Sequence, residues 1–319
     1  MTVTLDFAGK VAIVTGAGRG LGREYALALA ARGVRVLVND RGGSASGDGS
    51  STTPADSVVD RIRAAGGEAA ADSGDVVSEH ADIVAAAHER WGRLDILVNN
   101  AGISGGGLLH EIDQADFDRV FDTHFRGTLG MLRSAWPLLA DGGGRVVNTS
   151  SSSVFGMGGT SQYISAKAAI IGLTRAAAQE GEAVGVAVNA IMPTAYTRLT
   201  DQIPDEAFRD VLRSTFRPEL VAPFVTWLCH DSATVTGELF AVAGGRVARV
   251  FLGEAPGVVL EEPTPEDYAG RLGRLMSVDG FTIPENAMAE AVATFAALAA
   301  PTDGVQGVDG SGWAPRTDA

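Results

Sequence analysis

Residues 11–22 read VAIVTGAGRGLG. The opening VAIVTG is a short apolar run, which predicts a strand buried on both faces. It leads straight into Ala17-Gly18-Arg19-Gly20-Leu21-Gly22, and the apolar spacing of REYALALAARG, closed by Gly33, predicts a helix next. The glycines therefore lie between a strand end and a helix N-terminus. Backbone N–H groups and the helix dipole can hold a pyrophosphate there. A Cβ at Gly16, Gly20 or Gly22 would keep the backbone away from that phosphate. A second strand, VRVLVND, ends in Asp40, 24 residues after Gly16. A carboxylate at that place can accept both adenosine-ribose hydroxyls of NAD and repels the 2′-phosphate of NADP, so NAD is the expected cofactor. Arg19 and Arg41 weigh the other way, since either could meet a phosphate. A glycine-rich turn alone is an ordinary tight βα connection; the whole strand–glycine–helix–strand–Asp unit is what points to a dinucleotide.

Outward from this unit the pattern alternates. Residues 41–53, RGGSASGDGSSTT, have no periodicity and predict a flexible loop near the adenosine end of the cleft. A helix follows over 54–65, a third strand ends near Asp75-Val76, and 79–91 read as a helix. LDILVNNAG (94–102) is the fourth strand; its Asn99 and Asn100 can stitch neighbouring strands, while Ala101 and Gly102 leave room for a ligand. Residues 114–139 read as two helical segments, GRVVNTSS (144–151) as a fifth strand, and a helix then runs to about Gly181. VAVNAIMP (186–193), a helical stretch over 205–230, and LFAVAGG (239–245) complete the series. Such alternation predicts an α/β, Rossmann-type fold: a doubly wound, seven-stranded parallel sheet over 1–245, with a C-terminal extension over 246–319. Ligands of these sheets sit at the carboxyl ends of the strands. Gly16–Gly22, Asp40, Asp75, Asn100, Ser150 and Pro193 all fall at or just beyond predicted strand ends.

The chemistry is concentrated in SSSSVFGMGGTSQYISAK, residues 150–167. Tyr163 and Lys167 are four residues apart, which places them on one helical face. An ammonium beside a phenol favours the phenolate, and a tyrosine so tuned can take a proton from an alcohol or return one to a ketone. Ser150, thirteen residues before Tyr163, could hold the reacting oxygen. The serine run leaves the register open: counting back from Tyr163 favours Ser150, and counting forward from Asn148 favours Ser151. By itself YxxxK is more often a solvated ion pair on a helix.

Composition removes several other classes. The net charge is −14, which argues against nucleic acid as a partner. No run of about 18 apolar residues predicts a membrane span, and MTVTLDFAGK lacks the features of a signal peptide. The single cysteine, Cys229, fits a reducing cytoplasm. The five histidines show no metal-ligand spacing, so no metal is expected.

Taken together, Thr15-Gly16-x-x-x-Gly20-x-Gly22, Asn99-Asn100-Ala101-Gly102, Ser150, Tyr163-x-x-x-Lys167 and Pro193-Thr194 resemble the short-chain dehydrogenase/reductase family over residues 5–245. That resemblance implies Tyr163 as catalytic acid/base, Lys167 as ligand of the nicotinamide ribose and depressor of the Tyr163 pKa, and Ser150 as holder of the substrate oxygen. It implies that Gly16, Arg19, Gly20, Leu21 and Gly22 flank the pyrophosphate, Asp40 the adenosine ribose, and Asp75 and Val76 the adenine. Asn100, Ala101 and Gly102, with Pro193, Thr194 and Thr197, would line the nicotinamide side. Two departures stand out: His124 replaces an asparagine that supports a proton-relay water, and Thr194 replaces a glycine. NDRGG, His124 followed by Phe-Arg-Gly, PTAYTRLT and the start of the tail resemble the (3R)-hydroxyacyl-CoA dehydrogenase branch found in type 2 peroxisomal multifunctional enzymes. The expected activity is thus NAD-dependent interconversion of a secondary alcohol and a ketone, with a 3-hydroxyacyl-CoA as substrate and a homo-oligomer, dimer or tetramer, as assembly. A hydroxysteroid, sugar or terpenoid alcohol is the alternative within the family; a non-catalytic dinucleotide sensor is the alternative outside it, against which the intact serine, tyrosine and lysine count. The tail is expected to pack on the main domain or a partner subunit, with a polar, Gly-rich end at 303–319.

Overall fold

The computed structural model describes residues 5–197 and 205–299. One eight-stranded sheet runs in the order β3-β2-β1-β4-β5-β6-β7-β8. Its strands are β1 (Val11–Thr15), β2 (Arg35–Asn39), β3 (Ala69–Asp72), β4 (Ile96–Asn99), β5 (Arg145–Thr149), β6 (Ala187–Thr194), β7 (Leu239–Ala243) and β8 (Arg246–Val250). All pairs are parallel except the last.

The continuous apolar runs form central strands because helices cover both faces. Ala12 and Val14 face a core shared with α1 (Gly20–Ala30), α2 (Thr53–Ala64) and α8 (Ala222–Leu228). Val11 and Ile13 face the opposite core, shared with α3 (His80–Trp91), α5 (Gly127–Gly142) and α6 (Ser161–Glu182). The strand order reverses between β1 and β4, so their carboxyl ends open a crevice.

Three sequence expectations are corrected. The sheet is mixed and eight-stranded, because Gly244 and Gly245 both take positive φ (55° and 82°) and form a two-residue hairpin that returns β8 antiparallel along β7. The third strand stops at Asp72, earlier than Asp75-Val76. There the Asp72 carboxylate accepts from Gly74 N at 2.9 Å and turns the chain, leaving Asp75 and Val76 in the βα loop. The helical stretch from 114 runs without a break to 142: α4 (Gln114–Phe121) passes through a π-helical turn, Asp122–Arg126, into α5. Beyond β6 lie α7 (Glu206–Thr215) and a 3₁₀ turn, Pro218–Leu220.

The chain divides into two compact units at Val250/Phe251, five residues later than the boundary expected from sequence, since β8 belongs to the sheet. The second unit carries α9 (Pro265–Ala269), α10 (Leu272–Met276) and α11 (Ala287–Ala299). Thr264 and Asp267 cap α9 reciprocally, and Phe251 stacks on Phe281 at 5.6 Å. Among the described residues, none of the buried hydrophobic side chains comes from this unit. The Gly-rich end at 303–319 lies outside the described residues.

Candidate active site

A cavity of about 630 Å³ follows the carboxyl ends of the strands. Its wall includes Gly16, Arg19, Gly20, Leu21, Asp40, Asp75, Val76, Asn100, Ala101, Gly102, Ser150, Tyr163, Lys167, Pro193 and Thr197. The topology thus gathers residues spread over more than 180 positions into one crevice. Gly22 and Thr194 are not on its wall. Gly22 lies behind the cradle, where a Cβ would sit 2.3 Å from the carbonyl oxygen of Gly16. Thr194 ends β6 opposite Ala243.

At one end, Gly16 takes φ 62° and a Cβ on it would lie 2.8 Å from Ala101 Cα, so only glycine lets the β1 and β4 ends close on each other. Thr15 Oγ1 accepts from the backbone N–H of Asn100 (3.0 Å) and Ala101 (3.1 Å). The Asn100 amide donates to the carbonyls of Thr15 (2.9 Å) and Gly16 (3.2 Å), so this side chain stitches the crevice floor. The Asp40 carboxylate accepts from Gly18 N (2.8 Å) and Gly42 N (2.7 Å) while facing the cavity. Arg41 pairs with Asp75 at 3.1 Å, and Arg19 donates to the Gly43 carbonyl at 3.3 Å. Both arginines are therefore engaged with the protein beside Asp40.

At the other end, α6 presents Tyr163 and Lys167 on one face, with Lys167 Nζ 5.6 Å from the phenol ring centroid. Lys167 is buried, and its Nζ donates to the Thr149 carbonyl at 2.6 Å. Burial pushes its pKa down to about 7. Burial also pushes the Tyr163 phenol up, opposed by a hydrogen bond with Ser151. The expected downward pull of Lys167 on Tyr163 is thus not the dominant influence: both groups are governed first by desolvation.

The two serines left open by the register are engaged differently. Ser150 Oγ donates to the Lys167 carbonyl at 2.8 Å, and the side-chain hydrogen bond that acts on the Tyr163 phenol is with Ser151. Both serines meet α6: Ser150 bonds the Lys167 carbonyl beside Asn148, which bonds Thr174 Oγ1 at 3.0 Å, while Ser151, just beyond the end of β5 in extended backbone (φ −157°, ψ 148°), faces Tyr163. Ser150 contributes to the cavity wall and Ser151 does not; Ser151 Oγ also lies 2.8 Å from Ser153 Oγ.

The π-helical turn delivers His124 to the wall. Its ring meets that of Tyr163 edge-on, centroids 5.0 Å apart. Nε2 lies 2.8 Å from the Ile103 carbonyl, and Nδ1 is buried without a protein partner. Burial first and the Lys167 charge second hold its pKa well below the usual histidine range.

Sequence reasoning missed one wall. The stretch expected to be a flexible loop folds on itself, Ser44 N donating to the Asp48 carbonyl at 2.8 Å. It also reaches across the crevice. The Ala45 carbonyl accepts from Ser104 N (2.8 Å) and Ser104 Oγ (3.0 Å), and Arg119 of α4 donates to the Ser46 carbonyl. Gly43, Ser44, Gly47, Asp48 and Gly49 consequently line the cavity, as do Ile103, Arg119, Thr123 and Thr149. No spacing rule links Arg119 to a loop 73 residues earlier. Among the described residues no cluster of metal-ligating side chains occurs, and no helix is long and apolar enough to cross a membrane.

A family model described as short chain dehydrogenase matches residues 10–206. The peroxisomal multifunctional enzyme type 2 of Drosophila melanogaster is 42% identical over 270 residues, 83% of this chain and 44% of that protein. The solved structure of the full-length Drosophila enzyme aligns with a TM-score of 0.76 at 34% identity, covering 92% of this chain and 49% of that one. The chain thus spans about half the length of these relatives. A solved 7α-hydroxysteroid dehydrogenase, complexed with NADH and 7-oxo glycochenodeoxycholic acid, aligns with a TM-score of 0.69 at 28% identity over 77% of this chain and 98% of that one.

Proposed function

From the premise that the chain belongs to the short-chain dehydrogenase/reductase family and is an oxidoreductase, we propose that it interconverts a secondary alcohol and a ketone with NAD, on a 3-hydroxyacyl thioester such as a coenzyme A ester. The observation that carries this reading is the continuity of one cavity from Asp40 to Tyr163. Its residues fit a dinucleotide: a cradle at Gly16 that a Cβ would fill, and two buried polar atoms without protein partners, Thr149 Oγ1 and His124 Nδ1. NADH in the hydroxysteroid dehydrogenase relative supports a nicotinamide cofactor, and the Asp40 carboxylate supports NAD over its phosphorylated form.

In this reading Gly16, Arg19, Gly20 and Leu21 would flank the pyrophosphate, Gly22 would let α1 approach it, and Asp40 would accept from the adenosine ribose. Asp75 and Val76 would bound the adenine, and Ala101, Gly102, Pro193 and Thr197 the nicotinamide, with Thr194 behind that wall at the end of β6. The nicotinamide, when bound, supplies the hydride acceptor or donor. Ser151 and Tyr163 hold the substrate oxygen. Tyr163 Oη takes the hydroxyl proton in the oxidative direction and returns it in the reductive one. Lys167, in its charged form, would favour the phenolate, and it would bond the nicotinamide ribose. We infer a homo-oligomer from family membership, and a reducing compartment, such as the cytoplasm, from the lone buried Cys229.

The test is NADH absorbance with 3-hydroxyacyl-CoA and hydroxysteroid substrates, comparing wild type with Tyr163→Phe. Loss of turnover by about 10²–10⁴-fold with retained NAD binding is expected. Near-full turnover by the phenylalanine variant would overturn the assignment.

A further inference from the structure

The strap over residues 43–49 has no part in the chemistry assigned above, yet it closes one side of the cavity. The sheet order is β2-β1-β4, so a segment that leaves the end of β2 and reaches the loop after β4 must pass over the end of β1. The glycine cradle lies at that end. The strap makes this crossing: it begins beyond Asp40 and bonds Ser104 in the loop that follows β4. Ser44, Gly47 and Asp48 line the same cavity as Gly16 and Gly20, so strap and cradle bound one space. A molecule running from Asp40 past the cradle to Tyr163 therefore runs beneath the strap.

The way the strap is held decides what it can do. Its ends meet: Ser51 N donates to the Arg41 carbonyl at 2.9 Å, and the Asp40 carboxylate fixes the root through Gly42 N at 2.7 Å. Gly42 takes φ 76°, and a Cβ there would collide with the Ser51 carbonyl, so the root closes only with glycine. A compact loop with adjoining ends can swing as a unit about that root. No residue of 43–49 is buried, and Ala45 carries its only apolar side chain. Hydrogen bonds hold the strap down instead. Arg19 donates to the Gly43 carbonyl (3.3 Å), Ser104 N and Oγ donate to the Ala45 carbonyl (2.8 and 3.0 Å), and Arg119 donates to the Ser46 carbonyl. Asp116 steadies Arg119 in turn, at 2.8 Å. A segment tied by polar contacts without a core of its own opens at far lower cost than the sheet beneath it.

We infer that strap 43–49 is a gate over the dinucleotide, latched to the far bank of the crevice by Ser104 and Arg119, and that these two are positioning residues that set how fast the cofactor exchanges. This rests on the dinucleotide reading above and adds a control to that site. A latch acts in both directions. Shut, it slows the escape of a bound dinucleotide and the entry of a free one. Weakening it raises both rates, and Kd moves less than the dissociation rate does. A residue that merely touched the cofactor would change dissociation alone, as lost contacts ordinarily do. Arg119 is the stronger fastening, because its guanidinium donates a charge-assisted bond.

The experiment follows NADH binding and release by stopped-flow fluorescence in wild type, Arg119→Ala, Arg119→Lys and Ser104→Ala. Thermal melts are recorded for each, as is amide hydrogen exchange of the 41–53 segment without cofactor. In Arg119→Ala, dissociation is expected to quicken about tenfold, the equivalent of one lost charge-assisted hydrogen bond, and association to quicken with it. Ser104→Ala shows the same pattern more weakly, since its backbone N–H still holds the Ala45 carbonyl. Arg119→Lys, which keeps a charged donor, brings both rates back toward wild type. Unchanged dissociation in Arg119→Ala overturns the inference. So does faster dissociation with unchanged association, which would make Arg119 a contact of the cofactor and not a latch. Should Arg119→Ala fail to fold, the same two rates in Ser104→Ala give the decision. Should wild type bind no NADH, the cofactor reading fails separately. Faster exchange confined to 41–53 in Arg119→Ala then still supports the latch, and equal exchange refutes it.

Discussion

Replacing each of two adjacent serines by alanine separates chemistry from scaffolding at this site. Ser151 bonds the Tyr163 phenol; Ser150 Oγ donates to the Lys167 carbonyl at 2.8 Å in a fully buried setting. Ser151→Ala removes a donor aimed at the reacting oxygen. Loss of one such donor costs about 10²–10³ in kcat, or roughly 3–4 kcal/mol. Because Ser151 is the influence that opposes burial at Tyr163, its loss also moves the phenol's titration further up. The acid limb of the kcat/KM profile for alcohol oxidation shifts to higher pH accordingly. Ser150→Ala leaves the Lys167 carbonyl without that partner and costs about 1–3 kcal/mol of stability, with kcat changed by less than about threefold. NADH absorbance on a 3-hydroxyacyl-CoA gives the kinetics, and urea unfolding gives the stability. A hundredfold loss of kcat in Ser150→Ala at an unchanged urea midpoint, beside near-normal Ser151→Ala, would refute the assignment of the phenol's partner.

Lys167→Met tests the buried ammonium without any cofactor. The native lysine titrates at about 7 against an ordinary 10.5, so between those values the unfolded chain binds more protons and wild-type stability rises with pH, by no more than about 1.4 kcal/mol per unit. The methionine variant lacks that rise; chemical denaturation at pH 7, 8.5 and 10 measures it, and parallel curves for the two proteins refute it. Gly22→Ala places a Cβ 2.3 Å from the Gly16 carbonyl oxygen, so it destabilises the fold by about 1–3 kcal/mol and weakens NADH binding, read by thermal melts and fluorescence titration. Asp40→Ala removes the acceptor beside Gly18 and Gly42; kcat/KM with NADP rises relative to NAD by at least about tenfold, and an unchanged ratio counts against Asp40 as the discriminating group.

The fold was legible where one local pattern settles an element. VAIVT is buried throughout as β1, and α1 begins at Gly20, because an apolar run followed by glycines admits few other arrangements. Pairing was less legible. β8 has an alternating, half-exposed pattern rather than a buried run, so apolarity does not announce it; the Gly244-Gly245 pair before it was the available signal, since a two-residue turn with positive φ at both positions aligns antiparallel strands. The helical continuity of 114–142 was hidden for a different reason. A π-helical turn inserts an extra residue and shifts the apolar phase, so the periodicity resembles two helices although the helical backbone is continuous.

At the site, the geometry of groups close in the chain was legible in the sequence, and that of groups set by distant walls was not. Tyr163 and Lys167 share a helix, so four residues of spacing imply a common face. The strap 43–49 acquires its position only through Ser104 and Arg119, contacts that no local pattern encodes. The serine run shows the boundary between the two cases. Counting residues back from Tyr163 crosses an irregular loop whose length carries no geometric rule, and it selects Ser150. Counting forward from Asn148 starts on β5, which ends at Thr149, so it crosses only two residues and favours Ser151. The ladder supports the second route. Thr149 pairs with Ile191 and Ser150 N donates to the Ile191 carbonyl at 2.7 Å, so strand geometry still governs the chain as it enters the serines. A spacing measured along a regular element is therefore a stereochemical statement, whereas one measured through a loop only counts residues.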